Sequence, residues 1–124
     1  MAYSKNQNQL ALWGSHFLGR SVDAQSASDS LKYWCATHKR VLDIGRSMGP
    51  NFYFLNYDDF CAMPSEGMEK LLNFLGLEFK DDSKKELIGL VEKPNSVERF
   101  RQHGTDQFDQ ESLAFVSELG FVVE

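Results

Sequence analysis

The sequence predicts a mainly helical single domain with one short apolar strand. Three observations carry that reading. Apolar residues recur at helical spacing over five stretches of the 124-residue chain. One run, Phe52, Tyr53, Phe54, Leu55 and Tyr57, is continuously aromatic and aliphatic, as a strand covered on both faces would be. An apolar content of 42%, with ten Phe, supplies a core, and a chain of this length buries roughly two-thirds of its unfolded surface.

The elements follow in order. Asn8–Leu18 places Leu10, Trp13 and Phe17 on one helical face. Gly19–Ser28 is small and polar and reads as a linker or mobile loop. Asp29–Met48 is the clearest helix: Leu31, Trp34, Cys35, His38, Val41, Leu42, Gly45 and Met48 form a stripe, while Lys32, Lys39, Asp43 and Arg46 face out. Ser28 or Asp29 suits its N-cap. After the strand, Asp58 and Asp59 make an acidic turn, with Asp59 as a helix cap. Pro64 fits a first helical turn, where its missing N–H costs nothing. Met68, Leu71, Leu72 and Leu75 then run to Gly76, a suitable left-handed stop. Asp82–Val91 and Asp109–Leu119 complete the helices, capped by Asp81 or Asp82 and stopped by Gly120 respectively. The apolar tail Phe121–Val123 should dock.

A lone buried strand poses a problem, because its N–H and C=O groups need partners. Two copies pairing these strands, a second protein supplying the sheet, or an irregular extended segment packed under helices would each solve it. Self-association is the favoured expectation.

The net charge of −5 and pI near 5.2 argue against a general nucleic-acid or membrane-surface binder. No apolar run approaches the roughly 18 residues of a membrane span. No basic-then-apolar leader is present, so a cytoplasmic protein is expected. Cys35 and Cys61 have neither disulfide-framework nor CxxC spacing and read as reduced thiols. With His16, His38 and His103 they do not reproduce zinc-ligand spacing either.

Candidate chemistry concentrates in Lys93–His103, KPNSVERFRQH. Lys93, Ser96, Arg99 and Arg101 form a candidate anion or nucleotide loop, since guanidinium groups suit bidentate phosphate contacts. A solvated connector, its arginines paired with Glu92, Glu98 and Asp106, is the competing reading. His38 is either an acid/base group or a core histidine satisfied by a backbone carbonyl or by Asp58 or Asp59. Asp58 and Asp59 could pair for acid/base work, but adjacent residues at a strand end point apart.

The string N-Y-D-D-F-x3-P-x3-M-x2-L-L-x-F-L-G-L, with Tyr57, Asp58, Asp59, Phe60, Pro64, Leu71, Leu72, Phe74, Leu75, Gly76 and Leu77, resembles a signature of sulfotransferases of the bacterial and Golgi-like branch. S-L-K-Y-W-x3-H-K-R-V-L upstream is similar to the family's preceding helix, and K-P-N-S-V-E-R-F-R downstream to its late loop. The similarity runs from about Ser28 to Phe121. Asp58, Asn56 and Glu98 depart from the pattern; Glu98 puts a carboxylate beside the supposed anion site.

The resemblance implies the C-terminal helical part of the P-loop-like α/β sulfotransferase fold, lacking most of its parallel sheet. It implies PAPS or PAP as the nucleotide, contacted by Ser96 and Arg99. Nothing in Met1–Asp29 resembles the family's phosphate loop, and the catalytic base lies in the same missing portion. The chain is therefore expected to be inactive alone and to need no cofactor in isolation. A non-catalytic homodimeric or partner-binding helical module is the alternative, and a complementary chain carrying the phosphate loop is a further one.

Overall fold

A computed structural model describes residues 3–92 and 104–123, with side chains from Gln9 onward. The described residues are mainly helical and contain no strand. They hold six α-helices: α1 (Tyr3–Leu18), α2 (Ala27–Met48), α3 (Tyr57–Ala62), α4 (Pro64–Leu75), α5 (Asp81–Gly89) and α6 (Gln110–Glu118), with a 3-10 turn at Gly49–Asn51. They divide into two compact units, residues 3–52 with 104–123, and residues 53–92.

In the first unit α1 packs along α2. Leu10 is fully buried, and Gly14 makes that possible. A Cβ on Gly14 would stand 2.7 Å from Leu10 Cδ1 and 2.9 Å from a Val22 methyl. The inward face thus runs through Leu10 and Gly14 rather than Leu10 and Trp13, and Trp13 is half-exposed. Phe17 meets Tyr33 edge-on at 5.7 Å.

The segment expected as a loose linker is tied down. Arg20 donates to both carboxylate oxygens of Asp29, at 2.7 and 3.3 Å. The Asp23 N–H donates to Asp29 Oδ2 at 2.9 Å. Ser26, two residues before the expected Ser28, caps α2 by accepting from the Asp29 N–H at 3.1 Å. The expected α2 stripe holds through Cys35 and Gly45, which are buried, but Val41 and Met48 are nearly half exposed.

α6 lies against α2. Asp109 caps it, accepting from both the N–H and the hydroxyl of Ser112 at 2.8 Å. Trp34 meets Phe115 and Phe121 edge-on, at 6.4 and 5.8 Å. Of the tail expected to dock, Phe121 does so, beyond the left-handed stop at Gly120, while Val122 is exposed.

The predicted strand is corrected by the structure. Residues 52–56 are irregular backbone with no strand partner among the described residues. Strand propensity measures fit to a half-buried pleated surface, and here other surfaces take the rings. Phe52 lies over Gly45, where a Cβ would come within 2.5 Å of the ring. Tyr53 stacks on Phe74 at 5.0 Å. Asn56, placed in the strand by its neighbours, caps α3 instead, its Oδ1 accepting from the Asp58 and Asp59 N–H groups at 3.0 and 3.3 Å. The acidic turn is thus the first turn of α3, where carboxylates suit the helix dipole, and Asp59 is not the cap.

Helix-interior glycines normally gain about 0.5–1 kcal/mol on replacement by alanine. Gly45→Ala should do the opposite, because the new methyl meets the Phe52 ring. A fall in the chemical-denaturation midpoint is the expected result, and a rise would remove this account of residue 52.

In the second unit α4 packs on both α3 and α5. Phe60, Met68 and Leu72 form its buried core, with Leu87, Ile88 and Val91 against them. α4 begins at Pro64 and ends at Gly76, with φ of 67°. The Gly76 N–H meets the Asn73 carbonyl at 3.2 Å and the Leu77 N–H the Leu72 carbonyl at 3.0 Å, the double bond of a glycine-stopped helix. Lys84 ties α5 to α4 through Glu69 at 2.8 Å.

Candidate functional site

Lys93, Ser96, Arg99 and Arg101, the nucleotide-loop candidates, lie outside the described residues. Among the described ones, the first unit has an open cleft of about 320 Å³ where α2 meets α6. α2 lines it with Lys32, Cys35 and Lys39, and α6 with Glu111 and Ser112; Asp109 and Arg20 complete the rim. Lys32 and Lys39, expected on an outward face, thus border a cleft.

Its charges are mostly committed to structure. Arg20 holds the Asp29 carboxyl below the usual carboxylate range, helped by the Asp23 N–H. The Ser112 backbone N–H does the same for Asp109. Lys39 stands 3.7 Å from Glu111 and lies 5.0 Å above the Phe115 ring. Burial pushes the Cys35 thiol up, so it is a protonated packing group whose sulfur sits 3.7 Å from the Ser112 carbonyl. The Ser112 hydroxyl donates to Asp109 as part of a helix cap, a structural bond and not an activated nucleophile.

His38 resolves in favour of the backbone-carbonyl reading. Its Nδ1 donates to the Trp34 carbonyl at 2.8 Å, and its ring stacks on the Trp34 indole at 3.7 Å. Burial lowers its pKa against the favourable pull of that carbonyl. Asp58 and Asp59 stand in the first turn of α3, where their backbone N–H groups donate to Asn56 Oδ1. Cys35 and Cys61 are free thiols. No group of three or more His, Cys, Asp or Glu able to hold a metal occurs among the described residues. No helix among the described residues is long and apolar enough to cross a membrane.

In the second unit the chemistry is that of exposed apolar side chains. Tyr57 donates to the Glu92 carbonyl at 3.4 Å and the Cys61 thiol to the same oxygen at 3.5 Å. In the same unit Met63, Leu75, Leu77, Phe79 and Leu90 are between 41% and 77% exposed. The sequence reads Leu75 as continuing the buried stripe of Met68 and Leu72, and Leu77 and Phe79 as packing back underneath; their exposure corrects that expectation. The available signal was the L-G-L-E-F run itself, which alternates apolar side chains with Gly and Glu beyond a helix stop.

No family model matches the chain, and neither does any curated protein or solved structure.

Acid should destabilise the first unit in two steps. His38 has a lowered folded pKa, so its contribution is present above about pH 6.5 and declines as pH falls below that value. Asp29 and Asp109 are also lowered; theirs is present above about pH 3.9 and is lost as pH falls further. Thermal midpoints from pH 8 to pH 3 are expected to fall in both windows. His38→Gln should flatten the upper step and Asp29→Asn the lower. A midpoint independent of pH across both windows would contradict the assignment.

Proposed function

We propose that this chain is a non-catalytic helical module that binds a protein partner. The observation carrying the reading is the surface of the second unit, where Met63, Leu75, Leu77, Phe79 and Leu90 stand open to solvent around a core of three buried side chains. Exposed apolar surface of this kind marks interaction sites, and a unit of about 40 residues is short of core unless something covers it. The polar groups of the cleft support the same reading, because most of them, Lys32 apart, are spent on caps and ion pairs.

Self-association no longer rests on an unpaired strand edge, since residues 52–56 form no strand. It rests on the same apolar side chains. The sulfotransferase reading, with PAPS or PAP as nucleotide and Lys93, Ser96, Arg99 and Arg101 as its contacts, is the second proposal. What favours it is α4, which runs from Pro64 to a left-handed Gly76, as the resembling signature expects.

Calorimetric titration with PAP at low salt, with adenosine as the uncharged control, separates the two. The module reading expects no saturable heat from either ligand. Saturable binding of PAP alone, abolished by Arg99→Ala in a chain that stays folded, would displace it in favour of the nucleotide site. Light scattering over a concentration series then distinguishes a second copy from another protein as the partner.

A further inference from the structure

The net charge of the chain is not spread evenly. Residues 53–92 carry nine of its 18 Asp and Glu but four of its 13 Lys and Arg. Residues 53–92 therefore sum to −5, and the remaining residues of the chain are balanced. One of the four lysines, Lys84, is already paired with Glu69, and another, Lys70, with Glu66 at 2.8 Å.

This acidic unit presents its apolar side chains in one continuous stretch. From Asn73 to Asp82 every residue is exposed. Leu75, Leu77 and Phe79 are 53%, 48% and 41% exposed, and Glu78, Asp81 and Asp82 stand among them; Lys80 is the one cation within this stretch, and Lys84, though bonded to Glu69, also feels Glu78 and Asp81. Met68 and Leu72 are buried on α4, but Leu75, the last residue of that helix, is exposed, and the chain turns at Gly76 directly after it.

We propose that the Leu75–Phe79 surface docks a basic amphipathic helix of a partner protein, its apolar face on Leu75, Leu77 and Phe79 and its Lys or Arg residues beside Glu78, Asp81 and Asp82. The proposal rests on the module reading and names the chemistry of its partner. Charge decides the occupant. A second copy would bring another −5 to the same contact, and like-charge juxtaposition disfavours a partner, whereas a cationic helix gains attraction and faster encounter. Amphipathic helices dock in this way through anchors at i, i+3, i+4 and i+7.

The test uses the full chain and two fluorescein-labelled amphipathic peptides of identical apolar residues, one with lysines and one with glutamates on the polar face. Anisotropy titrations are expected to give saturable binding of the lysine peptide, roughly tenfold or more tighter than the glutamate peptide and weakened by added salt. Leu77→Asp should weaken it by at least about tenfold. Glu78→Lys, an exposed change that leaves the apolar surface intact, should reduce the preference for lysine over glutamate; it keeps the test valid should Leu77→Asp disturb the fold. Equal binding of both peptides would overturn the charge argument while leaving an interaction module in place. So would a dimer, seen by light scattering, that Leu77→Asp converts to monomer and that takes up neither peptide. Saturable PAP binding with no peptide binding would overturn this proposal and the module reading together.

Discussion

Phe60→Ala is expected to unfold residues 53–92 while leaving the first unit folded. Phe60 is one of three buried side chains in that unit, at 8% exposure, and it occupies a seat made by Gly67, where any Cβ would collide with its ring. Removing a buried Phe side chain costs about 3–5 kcal/mol. A unit of this size holds on the order of 2–6 kcal/mol in total, so the loss is comparable to everything it has. Hydrogen exchange should show α4 and α5 amides losing protection while α2 amides keep theirs. Phe60→Leu, which keeps most of the volume, should cost under about 1.5 kcal/mol. Retained α4 protection in the alanine variant would mean that Phe60, Met68 and Leu72 are not the core of this unit.

Leu10→Ala carries the second largest effect, on the other unit. Leu10 is fully buried, and Gly14 and Val22 close over it. The expected loss is about 2–5 kcal/mol, set by how far the α1–α2 seam can collapse into the space left. Leu12→Ala is the internal control: at 70% exposure it should change stability by no more than about 0.5 kcal/mol. Denaturant melts followed at the α2 tryptophan, Trp34, in a Trp13→Phe background would measure both. Equal effects at positions 10 and 12 would place the α1 face wrongly.

Helices were legible where a periodic stripe coincided with a stop signal. Pro64, Met68, Leu72 and Gly76 gave α4 both its ends, and Asp109 with Gly120 bracketed α6 to within a residue. The strand was not legible, because four aromatic and aliphatic residues in succession, with a fifth beyond Asn56, fit a buried strand and an irregular segment equally well. Deciding between them needed the location of a partner strand and of the seat for Phe52, and local composition encodes neither. Asn56 carried the missing signal: a good N-cap type three residues before Asp59, with two carboxylates in the following turn. His38 left two readings open in the sequence, and only the distance to the Trp34 carbonyl separates them. The cleft was illegible because its walls are Lys32 and Ser112, 80 positions apart. The apolar surface of the second unit hid within a pattern that reads as core, since periodicity gives the face of a residue but not the point at which the core ends.

The first unit is interrupted: the chain leaves it after Phe52 and is back in it by Gly104. Synthesis makes that interruption an event in time. The α1–α2 hairpin uses neighbours in sequence and can close as soon as it emerges, since local contacts form fastest. Trp34 and Cys35 must then wait for Phe115, Phe121 and Ser112. At about 5–20 residues per second that wait lasts several seconds, with an aromatic face of α2 uncovered while the 53–92 unit is being made. A ribosome stalled between positions 60 and 100 would therefore hold a hairpin with a vacant seam, a state open to chaperones or to an α6 helix supplied from another molecule.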